Sequence, residues 1–231
     1  MVKRPQKTLA RTLNPGQACS RWILILILFA PGLVAFHELG GQRETILVAN
    51  LAPEAESVEP ERPDELVKIF AVVKAHRPDI DEAEAWRVSE VILEESAKRH
   101  LDPMMVLAVI RVESGFQYTA VSPMGARGIM QIMPETGRFL TETLRHEYGL
   151  HPPSYRPESL DDPLLNIRLG VYYLHDLTKQ FRSLNLALLA YNAGPAEIQN
   201  RLENNIAFSH EYATLVFDAY HHLKKTRPPT F

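Results

Sequence analysis

Residues 104–110 read M-M-V-L-A-V-I, and this run constrains the fold more than any other part of the chain. Asp102-Pro103 precedes it. Asp offers a side-chain acceptor to the first unpaired N–H groups of a helix, and Pro fits the first turn, where its missing N–H costs nothing. Gly115 follows as a helix-ending residue. A helix that is apolar nearly all round has no face to turn to water, so it belongs at the centre of a core with other elements packed around it. The chain has 231 residues, 45% of them apolar, enough for a real core of roughly 150 residues.

The surrounding sequence supplies helices for that role. In Asp81–His100, Ala85, Val88, Val91, Ile92 and Ala97 recur at helical spacing between charged residues, the signature of an amphipathic helix. Further helices are expected over 134–148, 163–182, 185–193, 196–202 and 211–225. A short one over 64–75 carries Leu66, Val67, Ile69, Phe70 and Val73. Thr119–Met130, with Pro123, Gly125 and Gly128, reads as a loop, and His151–Asp162 as a Pro-rich surface loop. Strand signals are scarce. The expected fold class is mostly α, with the chemistry carried by a domain over 78–225 and a short helical lead-in over 64–77.

The N-terminus has a different character. Residues 1–21 hold Lys3, Arg4, Lys7, Arg11 and Arg21 without an acid; the remaining chain carries −8. A mildly acidic globular part disfavours nucleic acid as a partner, because phosphate binding needs clustered Lys and Arg. Residues 22–36 are uncharged, and Glu54, Glu56, Glu59, Glu61, Asp64 and Glu65 follow. This asymmetry fits a basic cytoplasmic tail (1–21), a signal anchor (22–36) and an exported remainder. Fifteen helical residues span about 22 Å against a hydrocarbon core of roughly 30 Å, so a cleaved signal peptide is the competing reading. No small-x-small site directly follows Phe36. Residues 37–63, rich in Pro and Glu, read as a linker and 226–231 as a tail. Cys19 is the single cysteine, so no intramolecular disulfide can form.

Three places could carry chemistry. Glu113 closes the apolar helix, where the helix dipole disfavours a carboxylate. Burial there would raise its pKa and suit it to general-acid work; the plain alternative is a surface Glu at a helix end. The loop 122–134 has glycines that let backbone approach a ligand, and Gln131 carries both donor and acceptor atoms suited to an N-acetyl group. A tight turn with methionines filling the core is the alternative. The loop lacks the Gly-Lys-Ser/Thr ending of a phosphate loop. Tyr191, in A-Y-N-A-G-P, stands at a helix end where its hydroxyl could face a cleft or simply pack in the core. His146-Glu147 and His210-Glu211 both lack the second His of a zinc motif, so no metal and no cofactor are expected.

Taken in order, these pieces resemble a known family. They are Glu113-Ser114-Gly115-Phe116; Ser122-Pro123-x-Gly125-Ala126-Arg127-Gly128-Ile129-Met130-Gln131; Asp162-Pro163 with Asn166-Ile167 and Gly170 before Tyr173-Leu174; and Ala187 to Pro195. Together they are similar to the soluble lytic transglycosylase (SLT) catalytic domain, a relative of goose-type lysozyme. The resemblance covers residues 79–225 and rests on four motifs at matching spacing. It implies a lysozyme-like α-helical domain acting on peptidoglycan glycan strands, and the N-terminal charge pattern adds that this domain is expected in the periplasm, tethered to the inner membrane or released. It also implies Glu113 as the catalytic acid/base, Ser122, Met130 and Gln131 lining the cleft, Tyr191 facing the glutamate and Asn192 beside it.

The implied reaction has two steps. Glu113 protonates the glycosidic oxygen leaving N-acetylmuramic acid while the sugar's own acetamide supports the cationic centre, a substrate-assisted exception to two-carboxylate hydrolysis. Ionised Glu113 then takes the proton of the 6-hydroxyl, which closes a 1,6-anhydro ring without consuming water. Rival readings are a hydrolytic muramidase of the same fold and a non-catalytic peptidoglycan-binding module. One departure stands out: where many members carry E-T-R-x-Y-V, this chain has Phe208-Ser209-His210-Glu211-Tyr212-Ala213. Tyr212 fits, but the leading carboxylate is absent.

Overall fold

The computed structural model describes residues 63–150 and 154–225. The expected tail, anchor and most of the linker, and the C-terminal tail 226–231, lie outside the described residues. The described residues hold eight α-helices: α1 Asp64–His76, α2 Glu82–Arg99, α3 Pro103–Ser114, α4 Pro134–Tyr148, α5 Pro163–Phe181, α6 Leu184–Ala193, α7 Pro195–Glu203 and α8 Glu211–Lys225. No sheet occurs among the described residues, only two isolated bridges, Val121 to Arg127 and Arg127 to Ile132.

Local chemistry sets the helix starts. The Asp81 carboxylate accepts from the Glu84 N–H, Asp102 from Met104 and Asp162 from Leu164, and the Ser183 hydroxyl accepts from Leu186. Each satisfies an N–H that the helix itself leaves unpaired. Asp102 and Asp162 are each followed by Pro at the first helical position.

Helix α3 is the hub. All eight residues from Pro103 to Ile110 are buried, and α8, α2 and α1 pack around them. Helix α8 contributes Ala213, Val216, Ala219 and Leu223 to the core. The lead-in helix α1 is part of this core: Leu66, Ile69, Phe70 and Val73 are buried, and Phe70 stacks on Trp86 of α2 at 3.8 Å. Burying such side chains contributes roughly 1.5–3 kcal/mol each.

Of the segment expected as a Pro-rich surface loop, 151–162, the described part, 154–162, is packed and partly helical. Pro157–Asp161 forms a 3-10 helix. Leu160 is fully buried, and the Tyr155 ring is buried too, its hydroxyl donating to the Pro134 carbonyl at 2.8 Å. Two apolar anchors within a polar, proline-rich stretch are enough to pull it onto the core.

The loop between α3 and α4 depends on one side chain. Asn166 of α5 is wholly buried. Its Oδ1 accepts the Met130 N–H at 2.8 Å, and its Nδ2 donates to the carbonyls of Arg127 (2.9 Å) and Leu160 (2.8 Å). Gly128 leaves room for this: a Cβ there would come 2.1 Å from Asn166 Nδ2, and its φ of 82° already favours glycine. Asn166→Ala removes the side-chain partner of the buried Met130 N–H and Leu160 carbonyl, each costing about 1–3 kcal/mol, while the Arg127 carbonyl keeps the Ile132 N–H at 2.9 Å. It is expected to lower unfolding free energy by at least about 2 kcal/mol, measured by urea denaturation.

Candidate active site

Glu113 sits in the last turn of α3, one turn beyond the apolar stretch, with Ser114 next to it. The Ser114 hydroxyl donates to the Ile129 carbonyl at 2.7 Å, tying the end of α3 to the 120–133 loop. Tyr191 of α6 donates to the next carbonyl, Met130, at 2.8 Å. Tyr212 of α8 donates its phenol to Glu113 Oε1. The carboxyl thus lies between one helix end, one loop and two tyrosines.

Burial dominates its electrostatics. Desolvation pushes the Glu113 carboxyl up from 4.5 to about 7, with the Tyr212 hydrogen bond pulling the other way. Its position at the negative end of the α3 dipole acts in the same direction as burial. The two phenols respond in turn: burial first, then the Glu113 charge, holds Tyr191 and Tyr212 well above the ordinary tyrosine value. Both therefore stay protonated and act as hydrogen-bond donors. Near neutral pH such a carboxyl is divided between its acid and base forms, so one group can give a proton and later take one.

The other sequence-derived candidates fall into distinct places. Met130 is wholly buried, and its sulfur would lie 2.5 Å from a Cβ at position 170, where glycine gives it room. Its backbone N–H and C=O are held by Asn166 and Tyr191. Ser122 closes a turn: its hydroxyl accepts the Ala126 N–H at 3.0 Å. Gln131 has left-handed backbone, φ 50°, and its amide nitrogen donates to Ala120 O (3.0 Å) and Gly128 O (2.9 Å). Both donors are thereby committed to the loop, and Oε1 is left as the acceptor of the amide. Asn192 is exposed at the end of α6, beside Tyr191.

Two contributors were not among the sequence-derived site residues. Tyr212 makes the direct contact with Glu113. Its spacing from Val216, Ala219 and Leu223 places it on the buried face of α8, a signal that was readable. Asn166 had no local signal of its role beyond its place in a motif. Phe208, where the family often has a carboxylate, is part-buried against the core and lies 5.2 Å from the His210 ring. A cavity of about 650 Å³ is lined by Lys68, His76, Arg111 and Lys224 among others, but not by Glu113. The site is therefore identified by its chemistry rather than by cavity size. Among the described residues no group of three or more His, Cys, Asp or Glu could hold a metal ion.

Comparison with known proteins agrees with this geometry. A match to the family "Transglycosylase SLT domain" spans residues 90–213. The chain belongs to the SLT transglycosylase family. The SLT chain is 39% identical over 101 residues to the soluble lytic murein transglycosylase of Salmonella typhimurium, covering 43% of this chain and 15% of that one. It is 33% identical over 105 residues to the transglycosylase of Enterobacteria phage PRD1, covering 46% and 34%. The match thus spans a minor part of these curated relatives. The 70-kDa soluble lytic transglycosylase of Escherichia coli shares the fold, with a TM-score of 0.53 at 23% identity over 71% of this chain and 30% of that one.

Two outcomes follow from the raised pKa of Glu113. Between pH 4.5 and 7 the folded SLT domain binds more protons at Glu113 than the unfolded chain does, so this residue makes stability fall as pH rises through that window. Glu113→Gln, which does not titrate, should match the wild type near pH 4. Above pH 7 it should exceed it by up to about 3 kcal/mol, read from urea unfolding across pH. Tyr212→Phe removes the bond that favours the ionised form and should move the Glu113 titration above 7, followed by carboxyl ¹³C NMR.

Proposed function

We propose that this protein is a peptidoglycan lytic transglycosylase that cleaves the bond between N-acetylmuramic acid and N-acetylglucosamine and leaves a 1,6-anhydromuramic acid end. The observation that carries this reading is Glu113: a carboxyl held near pH 7 by burial, with Tyr212 on one oxygen, inside the SLT-family segment.

In the first step protonated Glu113 donates to the leaving glycosidic oxygen. Burial favours this form, because the neutral acid is the one that a desolvated site stabilises. As the bond from the muramic acid anomeric carbon to that oxygen breaks and N-acetylglucosamine departs, the muramic acid's own acetamide supports the anomeric carbon from the opposite face. In the second step ionised Glu113, stabilised by the Tyr212 phenol, takes the proton of the 6-hydroxyl. That oxygen closes onto the anomeric carbon, and Glu113 ends protonated, ready for the next bond. Gln131 Oε1 and the exposed Asn192 amide are the polar groups we assign to sugar contact. Ser122 and Met130 shape the cleft through the backbone they hold.

The same reading extends to the N-terminal residues. Segment 22–36 anchors the protein in the inner membrane as a single pass, residues 1–21 stay in the cytoplasm, and the linker carries the catalytic domain into the periplasm. Support comes from the basic residues before the apolar run and the acidic ones after it. A cleaved signal peptide would instead release the same domain into the periplasm.

Mass spectrometry of purified peptidoglycan treated with the full-length chain tests the reaction. Anhydromuropeptides are expected from the wild type, with the rate lowered by at least about 10³-fold in Glu113→Gln. Reducing-end products heavier by one water would identify a hydrolase, and binding without products a non-catalytic module. Since the first step needs the acid form, kcat/KM should fall about tenfold per pH unit above about 7.

A further inference from the structure

Helix α3 ends under strain. After Ser114 the chain passes through two successive left-handed residues, Gly115 with φ 58° and Phe116 with φ 70°. Glycine adopts this conformation freely, whereas a residue with a bulky side chain does so at a cost of roughly 1–2 kcal/mol. Phe116 is nevertheless fully buried, three residues after Glu113. Such a conformation persists only when its surroundings hold it.

The holding groups come from the end of α1, outside the family-matched segment 90–213. The His76 ring stacks on Phe116 at 4.4 Å and 23°, and its Nδ1 lies 2.8 Å from Val72 O. Arg77 Nη1 donates to the Phe116 carbonyl at 3.1 Å. Its guanidinium lies 4.1 Å from the Tyr118 ring centre. Nε and Nη2 each donate to Asp79 at 2.8 Å, a fork that fixes the plane of the group. The Arg77 side chain is only 12% exposed. The Tyr118 hydroxyl is buried without a hydrogen-bond partner among the described residues, so the ring is held by packing and by Arg77 alone. Helix α1 is itself anchored on α2 by the Phe70–Trp86 stack.

We propose that Arg77 is a positioning residue for Glu113: by fastening the Phe116 carbonyl it holds the strained turn that ends α3, and so sets where the Glu113 carboxyl meets Tyr212. This rests on the reading of Glu113 as the acid/base. The route is mechanical. The turn is closed by the Gln117 N–H on Ser114 O at 3.2 Å, and Ser114 also bonds Ile129 O. A relaxed Phe116 therefore displaces the last turn of α3 against a Tyr212 fixed on another helix. The groups acting on Glu113 are burial and Tyr212, with Tyr191 facing it from α6. Those acting on Arg77 are Asp79, Glu84 and Tyr118. The two sets share no residue, and the connection from Arg77 to Glu113 runs through the backbone at Phe116 and Ser114.

The test compares full-length wild type with Arg77→Met and with Arg77→Lys, which can keep one donor but neither the fork nor the flat stack. Ile69→Val, in the buried face of α1, serves as a control for stability loss alone. Arg77→Met is expected to lower kcat about tenfold with KM within about twofold. It is also expected to move the Glu113 carboxyl titration, read by ¹³C NMR, down by at least about half a unit, because burial outweighs the Tyr212 bond in setting it. Arg77→Lys should fall between, and Ile69→Val should leave both readouts unchanged. An unchanged kcat and titration in the Arg77 variants, with only Tm lowered, overturns the proposal. If Arg77→Met does not fold, the same criterion applies to Arg77→Lys. A wild type that cleaves no peptidoglycan sinks the proposed function, while the titration still decides whether Arg77 positions Glu113.

Discussion

Enclosing α3 is the constraint from which the other arrangements follow. Its first eight residues are all buried, so α1, α2 and α8 must close around it, and only its last turn can meet solvent. A carboxylate placed there is inevitably desolvated in part. The acidity of Glu113 is thus a property of packing. No basic partner tunes it; the shift comes from burial, opposed by one phenol. Among ways to hold a carboxyl near pH 7 this one is robust, because it depends on the same contacts that hold the core together.

A second layer of order comes from hydrogen bonding in the loop that faces Glu113. Residues 127–131 have little regular structure, yet their backbone groups are satisfied one by one. Asn166 takes the Met130 N–H and the Arg127 carbonyl, Ser114 takes Ile129 O, Tyr191 takes Met130 O, and the Gln131 side chain takes Gly128 O. Each donor or acceptor comes from a different part of the chain. A loop fixed this way has its backbone groups satisfied as a helix does, without sharing its periodicity.

Much of the fold was legible in the sequence. The periodic apolar residues and the Asp-Pro starts located α2, α3 and α5 to within a residue or two, and α4 and α8 to the residue, because caps and amphipathic spacing are local physics. The 3-10 helix at Pro157–Asp161 was not, since its stability comes from Leu160 and Tyr155 reaching a distant core. At the site, the motif around Glu113 was legible and the role of Tyr212 was only half so: its helical face could be read, its partner 99 residues away could not. Gln131 illustrates the converse. Its amide looked free to serve a ligand, but the turn it stands in consumes both of its N–H groups.

That separation between Glu113 and Tyr212 has a further consequence. The carboxyl stands on α3 and its phenol on α8, so the raised pKa is a long-range property that a fragment ending before α8 cannot reproduce. With α8 removed, Glu113 loses its phenol donor and the cover which that helix gives α3, and its titration is expected to move back toward that of a hydrated carboxylate.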